Sequence, residues 1–341
     1  MPPDLDAGTY RFQGLDGYDG QFYRYVAHDP FLRKDYWRNM DLPQLRYRRL
    51  LVPLLAWLLA LGQRPWIDGS FIAVEMAFVA LGVYWCAGLL ARRGRSPLWG
   101  VLFVAVPGTL ASFDRMLVDG PLSALFAGFL LYCAEEKWGR VWAIAMLASL
   151  TRETGMFLPA ALAVDQLLRR KWLRAAWLAS SSLPALSWYG YIAGSLPGDG
   201  VFPVLILPGW AILRRLFWLR PVALLDPREQ ALLLVTDFLA VLGMIISLVL
   251  AAIWLRKGRR GPVALCVGFF AALALVLGTP SMIEPLSFSR PASPLLLWLL
   301  LEAVSSQSWI ALAPPLMVSL GVSVAFVSPL WTVVKGVLGV R

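Results

Sequence analysis

Charge is what this sequence has least of. Only 15% of its 341 residues are Asp, Glu, Lys or Arg, against about 25% in a soluble domain. Together with 59% hydrophobic residues, that shortage excludes a soluble enzyme, a disordered chain and a nucleic-acid binder. It indicates an all-α polytopic membrane protein. Histidine is nearly missing: His28 stands alone, too little for a zinc site or a histidine proton relay. The three cysteines, Cys86, Cys133 and Cys266, lie in apolar runs without metal-ligand spacing. Their odd number argues against a disulfide framework. No fixed-period repeat or low-complexity tract is present. The first twenty residues are polar and lack the apolar stretch of a cleavable signal peptide.

What charge there is has a sign and a place. The net charge is +10, and much of the excess sits in short clusters between apolar runs. Arg92/Arg93/Arg95, Lys137/Arg140, Arg169–Arg174 and Arg256/Lys257/Arg259/Arg260 hold 13 basic residues. The positive-inside rule assigns these four loops to the cytoplasmic side. A chain so distributed meets anionic lipid or a phosphorylated lipid substrate rather than DNA. The loops at 114–119, 196–228 and 279–293 then face the other side.

Residues 1–49 read as a polar, aromatic head with eight basic and seven acidic residues and six of the ten tyrosines. Asp19 can cap a helix through 20–28, where Phe22, Tyr25 and Val26 share a face. Asp29-Pro30 can start a second helix, with Pro at its first position. Residues 50–341 form the transmembrane domain, with apolar segments at 50–62, 69–91, 97–113, 116–134, 141–168, 172–195, 229–255, 261–278, 294–304 and 309–334. That predicts nine to eleven transmembrane or re-entrant helices, since a span needs about 20 residues. Segment 50–62 is too short and contains Pro53, so it is expected to be re-entrant or interfacial, which puts the head on the outer face. Segment 141–168 is interrupted at Thr151-Arg152-Glu153-Thr154-Gly155. It is expected to fold as a hairpin, because both flanks are basic and belong on one side.

Several constellations can carry chemistry. Asp16-Gly17 and Asp19-Gly20 set carboxylates beside the aromatics Phe22, Tyr23 and Tyr25. A general base with sugar platforms fits this pattern, and so do plain turns with a helix cap. Asp114 and Asp119 are five apart and would not share a helix face. Asp119 also suits a helix N-terminus. Arg152-Glu153 inside an apolar segment reads either as an ion pair fixing the hairpin tip or as a forked phosphate ligand. Between 196 and 228, Arg214, Arg215, Arg220 and Arg228 alternate with Trp210, Phe217 and Trp218. That pattern fits an interfacial amphipathic helix or a groove for a lipid phosphate. Arg290 and Glu284, in an expected outer loop, complete the set. Glu75 and Asp237 lie inside apolar segments and are read as structural. The carboxylates can ligate a divalent cation through oxygen, but no spacing requires a cofactor.

The order GYDGQFYRYVAHDP, YRRLLVPLLAWLLALG, FDRMLVDGPLSALFAGFLL and SLTRETGMFLPAAL resembles a bacterial membrane glycosyltransferase of the GT-C superfamily, over about residues 14–170. The resemblance implies a GT-C-like fold in the cytoplasmic membrane with its active face outward. It implies a polyprenyl-phosphate-linked sugar as donor and an unidentified glycan, lipid or protein as acceptor. Asp19 then matches the acidic general base of the first outer loop, with Asp16 as fallback. Asp114 and Asp119 match the second acidic site. Arg152, with Glu153 in support, matches the motif near the donor pocket, where Arg214, Arg215 and Arg290 are further phosphate ligands. Phe22 and Tyr23 would support the sugar or the head. The rival readings are a transporter or lipid-linked-saccharide flippase, and a non-enzymatic subunit of an envelope polysaccharide machine. A transporter predicts paired interrupted helices.

Overall fold

The structure, a computed structural model, describes Leu5 and residues 18–199, 207–217, 227–257 and 260–338. Among the described residues it is all-helical, with no strand. The head contributes α1 (Gly20–His28) and α2 (Pro43–Arg48). The transmembrane-type region follows with α3 (Leu51–Leu59), α4 (Arg64–Arg92), a 3-10 stretch (Pro97–Ala105) leading into α5 (Pro107–Arg115), and α6 (Asp119–Ala134). Next come α7 (Trp138–Thr151), α8 (Phe157–Leu168), α9 (Trp172–Ala179), α10 (Leu183–Ser195) and α11 (Trp210–Phe217). The chain closes with α12 (Pro227–Arg256), α13 (Pro262–Val276), α14 (Pro285–Ser306) and α15 (Trp309–Leu338).

Two helices lie at the centre. Nearly every residue from Asp119 to Leu131 in α6 is buried, as is nearly every residue from Leu286 to Val304 in α14. They pack on each other, with α4, α5 and α7 around α6 and with α13 and α15 around α14. The two helices long and apolar enough to cross a membrane, Arg64–Arg92 and Gln230–Arg256, are peripheral, each with 39% of its most apolar window buried. Their outer faces carry large apolar side chains such as Ile72, Met76, Leu232 and Val235, a surface that lipid rather than water would cover. A third candidate forms if the stretch Pro97–Ala105 and α5 are one span bent by 59°. The bend falls at Val106, held extended before Pro107, where a following proline disfavours helical geometry. By length and composition, two to three helices among the described residues are thus able to cross a membrane, while the nine to eleven expected from the sequence counted transmembrane and re-entrant helices together.

The interrupted segment 141–168 is a hairpin, as its flanking charge predicts. Helix α7 ends at Thr151, Arg152 is extended, and a 3-10 turn (Glu153–Met156) leads into α8. The arms pack together, and Trp138 and Asp165, at their far ends, line one cavity. Gly155 makes the tight tip possible: a β-carbon there would overlap the carbonyl of Ala148 in α7.

Three local expectations need correction. Asp29-Pro30 starts no helix: the Asp29 carboxylate accepts from the backbone amides of Arg33 and Lys34, which closes a turn, and the next helical residues are the 3-10 stretch Asp35–Asn39. The expected loop at 279–293 is largely helical, since α14 begins at Pro285 and runs through Pro291 and Pro294. Proline's missing amide is tolerated there because burial on all sides holds the helix. The expected short span 294–304 is therefore the second half of a 22-residue helix. Segment 50–62 holds only the nine-residue α3, about 14 Å long at 1.5 Å per residue, and does not cross.

Candidate functional site

The N-terminus of α1 is pressed against the C-terminus of α5. A β-carbon at Gly20 would overlap the Arg115 carbonyl, so glycine is what allows this approach. Asp19 precedes that contact. It occupies the N-cap position, yet its side chain makes no cap hydrogen bond. Its two oxygens instead accept from guanidiniums: Oδ1 from Arg46 and Oδ2 from Arg290, both at 3.0 Å. The capping role is therefore excluded by geometry. Burial opposes ionisation of Asp19, but the adjacent Arg290 and Arg46 cations outweigh it and hold the carboxyl well below the usual range.

A second carboxylate shares one of these arginines. Asp119, the first residue of α6 and 2% exposed, is ion-paired with Arg152 and has Oδ2 3.9 Å from Arg290 Nε. Arg152 is supplied by the hairpin tip, which lowers a guanidinium into the protein. It is 8% exposed. Arg49 and Arg290 are its like-charged neighbours. Its Nε has no hydrogen-bond partner among the described residues, nor has Nε of Arg290. Beside it, Glu153 accepts from Arg49 at 3.0 Å.

The structure thus gathers Asp19, Asp119, Arg152, Glu153 and Arg290 at one end of the helices. It adds residues the sequence reading did not assign to a site. Arg46 chelates Asp41 as well as Asp19, Arg49 holds Glu153, and Tyr18 lies under the Arg290 guanidinium, 5.0 Å from ring to cation. The signal for the first pair was available. Arg46 and Arg49 are three apart, which sets both on one side of a helical turn. Tyr18 also reaches Glu284 through its hydroxyl at 3.4 Å.

Other candidates fall elsewhere. Asp114 is on the exposed end of α5, paired among the described residues with its neighbour Arg115. The turn at Met116, in the left-handed region, separates it from Asp119. Arg214 is exposed, while Arg215 is buried and ion-paired with Asp237 of α12. This pair explains Asp237 as structural and leaves Trp210, Leu213 and Phe217 of α11 exposed, with Leu207 just before it, the pattern of an interfacial helix. Tyr23 is 1% exposed and its hydroxyl is bonded to Arg49. Tyr25 is also buried, and Arg46 sits 4.9 Å over Phe22. These aromatics hold the head and its arginines, and Tyr23 and Tyr25 offer no open face to a sugar. Asp16, Trp218, Arg220 and Arg228 lie outside the described residues or side chains.

Two carboxylates enclosed by arginines make a poor seat for a divalent cation, because the guanidiniums already neutralise them. Among the described residues no three His, Cys, Asp or Glu side chains are grouped as a metal site. No protein-family model, no curated protein and no solved structure matches this chain.

Proposed function

We propose that the protein is an integral-membrane glycosyltransferase of GT-C type, which moves a sugar from a polyprenyl phosphate to an acceptor hydroxyl on the outer face of a bacterial cytoplasmic membrane. The observation that carries this reading is Arg152. Although paired with Asp119, this buried guanidinium is flanked by two further cations and has an Nε with no partner among the described residues, a donor that an arriving phosphate would satisfy. Asp19 stands beyond Arg290, within the same charge network.

The chemistry is balanced. The acceptor hydroxyl gives its proton to the Asp19 carboxylate while its oxygen bonds to the anomeric carbon. The bond from that carbon to the phosphate oxygen breaks, through an oxocarbenium-like transition state. The leaving polyprenyl phosphate keeps the bonding pair, and Arg152 and Arg290 stabilise its charge. The two roles are coupled through Arg290. Paired with Asp19, it keeps the carboxylate a weak base. Drawn to phosphate, it leaves Asp19 more basic, so the base is strengthened when donor is bound.

The test is release of polyprenyl phosphate by the full chain in proteoliposomes, offered a panel of polyprenyl-phosphate-linked hexoses and pentoses with lipid acceptors. Turnover by the wild type, lowered about a hundredfold or more by Asp19→Asn, supports the reading. Equal turnover by the variant overturns it.

A second reading, a flippase for lipid-linked saccharides, is favoured by one observation. Apolar segments are interrupted at Val106 and at Arg152, as the broken helices of a transporter would be. Translocation of a fluorescent lipid-linked sugar with its phosphate ester intact would select it.

A further inference from the structure

The opposite end of the helices holds a cavity of about 640 Å³. Helix α6 connects the two ends: Asp119 at its start belongs to the carboxylate–arginine cluster, and Cys133 and Ala134 at its finish line the cavity. At 1.5 Å per residue they are about 22 Å apart. Three of the four basic loops converge here, contributing Arg93, Arg169, Lys171, Arg174 and Arg260 to the wall, against the carboxylates Glu136, Asp165 and Glu302.

The pairing inside the cavity leaves cations over. Arg93 binds Glu302 at 2.9 Å and Arg169 binds Asp165 at 3.0 Å. Lys171, Arg174 and Arg260 have no carboxylate partner among the described residues. Arg174 is held by stacking, its guanidinium 4.2 Å over the Trp138 ring, so it stays fixed with its donors free. A second polar group is also unsatisfied. Gln166 is 4% exposed and donates its amide to Asp165 at 2.7 Å. That fixes the orientation of the amide, and its carbonyl oxygen is buried with no donor among the described residues. A buried acceptor without a donor is costly. The rest of the wall is apolar, with Leu130, Val263 and Trp298.

We propose that this cavity binds the headgroup of an anionic, hydroxyl-bearing phospholipid. Its phosphate is held by Lys171, Arg174 and Arg260, a hydroxyl of the headgroup donates to Gln166, and the glycerol backbone and upper chains lie against the apolar wall. The chemistry is that of a polyol phosphate. The positive-inside rule places this end at the cytoplasmic leaflet, where anionic lipid is enriched and basic pockets between helices collect it. The site is separate from the transfer chemistry and does not depend on it.

The experiment is native mass spectrometry of the full-length protein, titrated with phosphatidylglycerol, phosphatidic acid or phosphatidylcholine in detergent. The wild type should retain one tightly held phosphatidylglycerol and no comparable phosphatidylcholine. The triple variant Lys171→Ala/Arg174→Ala/Arg260→Ala should weaken that step about a hundredfold. Gln166→Leu should narrow the preference for phosphatidylglycerol over phosphatidic acid. Arg174→Gln, a milder change, gives the same direction should the triple variant not fold. Displacement of the lipid by free glycerol 3-phosphate at equal concentration would show a soluble phosphate site and overturn the lipid assignment. Unchanged phosphatidylglycerol retention in a folded Arg174→Gln variant would overturn the proposal.

Discussion

Arg290 donates to Asp19 at 3.0 Å across 271 positions of sequence. Arg290 also stands 3.9 Å from Asp119, so one side chain of α14 ties the head to the start of α6. The cluster is complete only when the C-terminal half has packed against the N-terminal half. Its members contribute to stability as well as to any chemistry, and the two contributions separate by pH.

The Asp19 carboxyl is held below its ordinary value, so its ion pairs contribute stability that is fully present above the unfolded carboxylate range. That contribution is lost as pH falls through the depressed folded value. Asp19→Asn should therefore lower the melting temperature at neutral pH, by a loss of about 3 kcal/mol as Arg46 and Arg290 each lose one of their anions. The gap from wild type should close progressively below pH 4. Thermal unfolding in detergent between pH 3 and 8 measures it. A gap constant across that range would mean that Asp19 is not paired as described.

Asp119 and Arg152 should behave as one unit. Arg152→Ala leaves a carboxylate at 2% exposure without its first partner, at a cost of about 3–5 kcal/mol. Asp119→Asn leaves Arg152 equally stranded. The double variant Asp119→Asn/Arg152→Leu removes both charges and should cost less than the two single changes added together. A double-mutant cycle on unfolding temperatures gives the coupling, and strict additivity would refute the pair.

Much of this cluster is legible from sequence, for a physical reason. Charged residues inside apolar runs are conspicuous, and Asp119, Arg152 and Glu153 all interrupt or border such runs, while Asp19 stands out in the head as one of two Asp-Gly pairs beside aromatics. What the pattern cannot give is which distant partner each one meets. Arg46 looks like a mark of membrane side until α2 folds it onto Asp19. Arg290 looks like part of a loop until burial carries α14 through two prolines. Asp114 and Arg214 are as conspicuous as their neighbours and end on the surface, Asp114 because the turn at Met116 parts it from Asp119, Arg214 because one helical step from Arg215 turns a side chain by about 100°. The hairpin at Arg152 was readable because charge on both flanks fixes where the ends must go. The turn at Asp29 was misread because Asp-Pro suits a helix start and a turn alike.

Gly20 should matter as much as Asp19. Its α-carbon faces the Arg115 carbonyl with no room for a methyl group, so Gly20→Ala must push α1 away from α5 and separate Asp19 from Arg290. The expected loss is about 1–3 kcal/mol from overpacking, with transfer activity falling as it does in Asp19→Asn. Gly139→Ala, at a glycine with nothing within 4 Å, is the matched control and should leave both readouts unchanged. If Gly20→Ala and Gly139→Ala behave alike in melting and activity, the α1–α5 contact does not position Asp19.

The two polar ends should report to opposite sides of a membrane. Asn39 is exposed on the head and Gly139 is exposed at the start of α7, beside the basic cavity. Single cysteines at these positions, with Cys86, Cys133 and Cys266 replaced by Ser or Ala, can be probed in intact cells with a membrane-impermeant maleimide. Asn39→Cys should label from outside and Gly139→Cys only after lysis. That result places Asp19, Asp119 and Arg152 together on the face where lipid carriers, not nucleotide sugars, deliver the glycosyl group. Labelling of Gly139→Cys alone in intact cells would invert the orientation. It would set thirteen basic residues on the outer side against the charge rule, and it would remove the topological ground for a lipid-phosphate donor.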